Sequence, residues 1–297
     1  MDLRQLRQFT AVAEELHFGR AAERLNMTQP PLSQSIQALE AELGVRLFAR
    51  TKRTVALTPV GSQWLEHVRK LLADAGGLPD IARRLSQGEL GSLRMAFVST
   101  ADYSVLPGLV CRFRQAFPNV TVLLREATSD LQIEALLDGE IDAGMIIAPD
   151  RGSLHCSLSY RPLIREPLVA AVPTSWIAAG REGFTDDALR AGTIIGAPLI
   201  LFPRRIAPAF HDIVSGYYTE HGAAFSVYQE AIQMQTIIGL VATGMGIALV
   251  PRSLTNLRRE GAHYLPLLES PPEIETGLAW RSANLTPTLQ RFLDIAL

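Results

Sequence analysis

The chain has 297 residues, longer than one ordinary domain of ~100–200 residues and suited to two or three. With 47% apolar and 20% charged residues it can bury a sizeable core and does not read as disordered. No window comes near the ~18 uninterrupted apolar residues of a membrane helix. The start, MDLRQLRQFTAVAEELHF, has neither the apolar core nor the cleavage site of a signal peptide. Two cysteines, Cys111 and Cys156, form no metal-type pair and no disulfide framework. A cytoplasmic protein is expected.

Charge is unevenly placed. Residues 1–58 carry eight Arg/Lys against six Asp/Glu, a balance of +2, and the remainder carries 20 against 24, a balance of −4. A basic head on an acidic body points to a polyanion partner for the head alone.

Within that head, Leu3, Leu6, Phe9, Ala13 and Leu16 share one helical stripe. A long helix is predicted over 59–88, in a linker segment 59–90. Its Trp64, Val68, Leu71, Ala75, Leu78, Ala82 and Leu85 alternate steps of four and three, the a/d seam of a coiled coil, which calls for a partner helix. Gly76, Gly77 and Pro79 predict a kink or break inside it. Beyond Leu93 short apolar runs alternate with helical stretches. Strands are expected at Leu93–Val98, Val120–Arg125, Ala143–Ile147, Leu168–Val172, Leu199–Phe202, Ser226–Tyr228 and Ile247–Val250. Helices are expected at Leu106–Phe117, Leu131–Asp138, Pro208–Glu220, Gln233–Thr243 and Pro287–Ala296. Such βαβ alternation implies an α/β body, 91–297, with mostly parallel sheets.

The strongest local signal lies at 18–58. Phe18–Leu25 reads as a short helix with Ala21, Ala22 and Leu25 inward, and Asn26-Met27-Thr28 turns the chain. Thr28 is a candidate N-cap of a second helix, with Pro30 and Pro31 in its first turn. Leu32, Ile36, Leu39 and Leu43 form the buried stripe of that helix. Gln29, Pro30, Ser33, Gln34 and Gln37 stay outward near its start. Two helices and a tight turn, the second showing small polar groups at its amino end, describe a helix-turn-helix reader of the DNA major groove. Glutamine can bond adenine there through two hydrogen bonds. Leu47–Leu57 reads as a hairpin whose cations Arg50, Lys52 and Arg53 would sit on phosphates or in a minor groove.

The run Phe18…Ala21-Ala22…Leu25…Thr28-Gln29-Pro30-Pro31-Leu32-Ser33…Ile36…Leu39-Glu40…Leu43-Gly44…Leu47-Phe48…Arg50…Leu57-Thr58…Gly61 closely resembles the LysR-type transcriptional regulators. Asp138-Gly139-Glu140-Ile141-Asp142-Ala143-Gly144 and Gly239–Pro251 resemble landmarks of the same family further along. Pro31 departs from the alanine most common there. The resemblance implies an all-α winged helix-turn-helix head (1–58), a dimerisation linker helix and a two-lobed effector module of the type II periplasmic-binding-protein-like fold. Its two α/β subdomains would span about 91–162 plus 268–297, and 163–267. It also implies promoter DNA as partner, a tetramer built as a dimer of dimers, and no enzymatic activity or cofactor.

In such a module ligands bind at the carboxyl ends of strands, where helix amino termini favour anions. Ser99 and Thr100, Thr128 and Ser129, and Phe202-Pro203-Arg204 occupy three such ends. They resemble the branch that senses muconate and related aromatic-catabolism acids. A small organic carboxylate is therefore expected, held by Ser99, Thr100 and Ser129 with Arg204 assisting, its apolar part on Phe202.

Other signals point elsewhere. The glycines from Gly239 to Gly246 follow a helix and precede a strand, the reverse of a dinucleotide loop. Cys111 reads as a core thiol. Six dispersed histidines include no i, i+4 metal pair, and no nucleophile–base motif appears. The competing reading is a solute-binding protein or small-molecule enzyme with an accessory helical head.

Overall fold

The computed structural model describes residues 1–50, 54–147, 154–283 and 285–297. They form two compact units, Met1–Arg83 and Arg84–Leu297.

The first unit opens with α1 (Leu3–Glu15), started by a reciprocal Asp2–Gln5 capping box. In α2 (Phe18–Arg24) the cap is His17, whose Nδ1 accepts from the Gly19 and Arg20 amides at 3.1 and 3.2 Å. Asn26 takes the left-handed conformation (φ 52°) and turns the chain into α3 (Gln29–Leu43), with its prolines in the first turn as expected. Phe9, Val12, Ala21, Leu32, Ile36 and Leu39 make the core. Ser35 donates to the buried Gln8 at 2.5 Å, a polar tie between α3 and α1. A hairpin of β1 (Phe48–Arg50) and β2 (Val55–Leu57) follows.

The long helix α4 (Pro59–Ser86) contains Pro79 without interruption, so the expected break is absent. Twenty-eight residues supply enough regular bonds on either side for one lost N–H donor not to end the helix. The heptad seam divides by burial. Trp64 and Val68 turn into the first unit's core, Trp64 packing on Phe9 at 4.7 Å between ring centroids. Leu71, Leu78 and Leu85 stay 45%, 60% and 46% exposed.

In the second unit, β3 (Gly91–Phe97), α5 (Ser99–Asp102), α6 (Leu106–Ala116), β4 (Val120–Glu126), α7 (Ser129–Asp138) and β5 (Ala143–Ile147) follow the expected alternation, with the short α5 an addition to it. Strand β3 lies parallel to both β4 and β5. From there the expectation of mostly parallel sheets fails. One 16-residue strand, β6 (Leu158–Pro173), extends well ahead of the predicted Leu168–Val172. It precedes α8 (Thr174–Ala178), α9 (Ala191–Ile195), β7 (Ile200–Leu201), α10 (Pro208–Glu220), β8 (Gln229–Glu230), α11 (Met234–Ala242), β9 (Ala248–Pro251), β10 (Ala262–Leu265), β11 (Glu273–Arg281) and α12 (Pro287–Ala296). Strands β10 and β11 were not foreseen. The returning β11 inserts between β5 and β6, antiparallel to both. The later part of β6 pairs antiparallel with β9 and β10. A strand returning late in the chain reverses direction, so the sheet is mixed. The two predicted strands near 200 and 227 shrink to the short parallel pair β7–β8, the latter shifted to Gln229–Glu230.

The Asp138–Gly144 landmark has a structural job. Gly139 closes α7 at φ 77°, and a Cβ there would stand 2.7 Å from Arg281 Nη1. Ile141 is buried, and Asp142 staples β3 (below). Gly239 lies in α11, while Gly244 and Gly246 lie between α11 and β9, in the helix-then-strand order expected. Cys111 is a correction: α6 buries Leu106, Leu109 and Phe113, which turns Cys111 outward, and both cysteines are exposed and free.

Candidate functional site

Helix α3 presents the outward face that its pattern requires. With Leu32, Ile36 and Leu39 buried, the helical repeat leaves Thr28, Gln29, Pro30, Gln34 and Gln37 exposed and Ser33 half-buried. Thr28 stands at the N-cap, but its hydroxyl caps nothing and is left to solvent or a partner. Glu14 fastens the helices behind this face, accepting from Arg24 and Arg69 at 2.8 Å each. The Arg69 hydrogen bond, with help from Arg24, holds the Glu14 carboxyl below its ordinary range.

The wing differs from expectation. Arg50 is not a free cation: its Nη2 donates to Glu40 at 2.9 Å and its guanidinium lies 4.8 Å from the Phe18 ring centroid. Glu40 also accepts from the Leu47 and Phe48 amides at 2.8 and 3.0 Å. A carboxylate with these donors fixes the hairpin to α3, so Arg50 acts as part of the clamp. Gly61 completes it, since a Cβ there would overlap the Leu47 carbonyl oxygen. Lys52 and Arg53 lie outside the described residues.

In the second unit, a cavity of about 350 Å³ gathers Ser99, Thr100, Thr128, Ser129 and Phe202. Three strand ends supply one side: β3 leads to Ser99, β4 to Glu126 and Thr128, and β5 ends at Ile147. Phe202, Ile206, Phe210, Ile232 and Gln233 supply the rest of the wall. First-turn or N-cap residues of α7, α10 and α11 all line it. Each such helix end carries a partial positive charge, which favours an anion by about 0.3–1 kcal/mol at exposed sites.

The hydroxyls are not spent on capping. Thr128 is the N-cap of α7 without a side-chain cap bond. Ser129 Oγ accepts from the Ile147 amide at 3.1 Å and keeps its proton to donate. Thr100, only 5% exposed, has no hydrogen-bond partner for Oγ1. A buried hydroxyl without a partner costs ~1–3 kcal/mol and is a natural place for a ligand acceptor.

Arg204 and Pro203 are corrections. Arg204 makes a two-pronged pair with Asp212 at 2.8 and 2.9 Å and does not line the cavity. The pair holds the Asp212 carboxyl below its usual range. Pro203 is also outside the lining; its carbonyl accepts from the Ile206 and Ala207 amides in the turn before α10. Sequence reasoning missed Glu126 and Gln233. Both carry the signal it used elsewhere, Glu126 ending a strand and Gln233 preceding a helix. Among the described residues no group of His, Cys, Asp and Glu could hold a metal ion, and no helix is long and apolar enough to cross a membrane.

Comparison with known proteins agrees across the chain. Residues 3–62 match the model of the bacterial regulatory helix-turn-helix protein, lysR family, and residues 86–297 match that of the LysR substrate binding domain. The transcriptional regulator IlvR of Caulobacter vibrioides is 57% identical, over 99% of this chain and 97% of its own. AlsR of Bacillus subtilis is 38% identical, over 100% and 95%. Full-length CbnR, crystallised with its target DNA, superposes with a TM-score of 0.80 at 30% identity, covering 100% of this chain and 98% of that one. These are regulators, not enzymes, which sets aside the solute-binder or enzyme alternative. With its winged helix-turn-helix head and α/β effector module, the chain belongs to the LysR family of DNA-binding transcriptional regulators.

Proposed function

We propose that this regulator is a cytoplasmic promoter-binding protein whose grip on DNA is set by a small organic carboxylate in the second unit's cavity. The observation that supports this most is the hydroxyl set Ser99, Thr100, Thr128 and Ser129 on one apolar-walled cavity, none of it used to cap a helix and Thr100 buried without a partner. Arg204 drops out of the proposed site, and the carboxylate is held by hydroxyls and backbone amides instead. A monocarboxylate fits this lining better than the muconate expected from the resemblance, because a dicarboxylate would face Glu126 with no cation among the described lining residues. The later part of β6, paired with β9 and β10, carries the chain into the second of two lobes. A ligand that binds their closed and open arrangements differently would shift the promoter complex. Titration calorimetry with a panel of organic acids tests the site. A Ser99→Ala, Thr128→Ala double variant is expected to bind at least about tenfold more weakly, a loss of about 1.4 kcal/mol. Equal affinity in both proteins removes this cavity from consideration.

On DNA, α3 reads the major groove through Gln29, Pro30, Ser33, Gln34 and Gln37, beside Thr28, and Lys52 and Arg53 add sequence-independent affinity from the wing. The outward face from Thr28 to Gln37 holds no arginine, so A·T pairs dominate the contacts of that face. Gln34→Ala is expected to cost ~1–3 kcal/mol at one base pair and to relax discrimination there. A binding-site selection that returns the parental preference at every position refutes the assignment.

Two chains pair through the exposed seam of α4. A second interface forms at the sheet edge β4, where Leu123 and Leu124 are 52% and 45% exposed. Together they give a dimer of dimers.

A further inference from the structure

The cavity has an acidic corner that a simple carboxylate leaves unused. Glu126 is the one ionisable side chain among the described lining residues, and no described ion pair or hydrogen bond engages its carboxylate. Its neighbour Arg125 points its charge elsewhere, 3.5 Å from Glu140. A recess of about 60 Å³ shares Ser99, Glu126 and Gln233 with the cavity and adds Asp102 and Tyr103. Burial, followed by the nearby Asp102 and Glu126 charges, keeps the Tyr103 phenol above its ordinary value despite a Gln235 hydrogen bond. The corner therefore holds negative charge without a compensating cation among the described residues that line it.

Two or three residues further on are Thr128, Ser129 and the amino end of the ten-residue α7. Acceptors for a cation and donors for an anion thus stand side by side at one strand-to-helix turn. A ligand with a carboxylate alone would meet repulsion from Glu126, and a dicarboxylate would meet more. A ligand with both charges on a single carbon satisfies the two sets at once. Its remaining atoms would face Phe202, Ile206 and Ile232.

The geometry points to an α-amino acid with an apolar side chain as the ligand class of this cavity. Its carboxylate is held by Thr100, Thr128 and the amides of α7, and its ammonium by Glu126. This rests on the cavity being the effector site. Thr100 Oγ1, buried without a partner, is the acceptor or donor that such a headgroup completes.

Calorimetry on the full chain tests it with matched probes: leucine against its deaminated analogue isocaproate, phenylalanine against hydrocinnamate, and adipate as the dicarboxylate. Wild type is expected to bind at least one of the two amino acids about tenfold or more tightly than its deaminated partner. Glu126→Gln should remove that preference, weakening the amino acid while sparing or strengthening the deaminated acid. Thr100→Val, near-isosteric and losing only an unpartnered hydroxyl, should keep the thermal transition yet weaken both members of a pair. If isocaproate, hydrocinnamate or adipate equals or exceeds the amino acids in wild type, or neither amino acid binds at millimolar concentration, the proposal is overturned. In the first case a response to Thr100→Val leaves the cavity standing as the effector site. Indifference of every bound probe to Thr100→Val and to the Ser99→Ala, Thr128→Ala pair overturns the cavity reading itself.

Discussion

Replacing Leu71 and Leu78 together with aspartate is expected to take the proposed assembly of four chains to two and to weaken binding at a full promoter site by about 10²–10⁴. The two residues are seven apart on α4, 45% and 60% exposed, and on the same stripe as Leu85. Burying a leucine fully is worth ~1.5–3 kcal/mol, and a two-fold seam would bury each position twice. Aspartates facing each other across that seam add repulsion on top of the lost burial. Two reading heads joined by this helix act with a high effective concentration, which separate heads lack. The interface proposed at β4 is untouched by the change, so a dimer should remain. Multi-angle light scattering reads the assembly, and gel shifts compare a full palindromic site with a single half-site. Half-site affinity should be unchanged, because neither leucine lies in the first unit's core. An unaltered mass with unaltered promoter affinity would show that α4 does not pair chains.

Asp142→Ala is expected to destabilise the second unit by about 3 kcal/mol. Asp142 Oδ2 accepts from the Arg94 amide at 2.8 Å and from Arg94 Nε at 3.3 Å, while Oδ1 accepts from Nη2 at 2.8 Å. In return the Asp142 amide donates to the Arg94 carbonyl at 2.8 Å. The carboxylate is only 8% exposed, whereas the Arg94 side chain is 41% exposed and can regain water. The dominant loss is therefore the partner of the β3 amide rather than the ion pair itself. At ~2–4 °C per kcal/mol for a unit of this size, the midpoint should fall by about 6–12 °C. Asp142→Asn keeps an acceptor for that amide and should lose less than half as much. A fall below about 2 °C for the alanine variant would mean that the staple is dispensable.

The helix-turn-helix was legible because its signals are local. The stripe Leu32, Ile36, Leu39, the prolines at the helix start and Asn26 in the turn each act within a few residues. The ends of β3 and β4 were legible for the same reason, and they brought Ser99, Thr100, Thr128 and Ser129 to one cavity. Arg50 and Arg204 were misread for the opposite reason. A charged residue next to a site in sequence looks available until Glu40 or Asp212, eight to ten positions away, is seen to occupy it.

By itself the chain determined the class of the protein, the outward polar face of α3 and the strand-end hydroxyls, since periodicity and turn chemistry are short-range properties. Only the tertiary structure decided the mixed sheet. The place of β11 between β5 and β6 depends on pairing residues more than a hundred positions apart, which no local pattern encodes. It alone also left Thr100 without a partner, released Glu126 into the cavity and divided the α4 seam into a buried start and an exposed remainder. Burial and hydrogen-bond satisfaction are settled by which surfaces meet, and those surfaces come from distant parts of the chain.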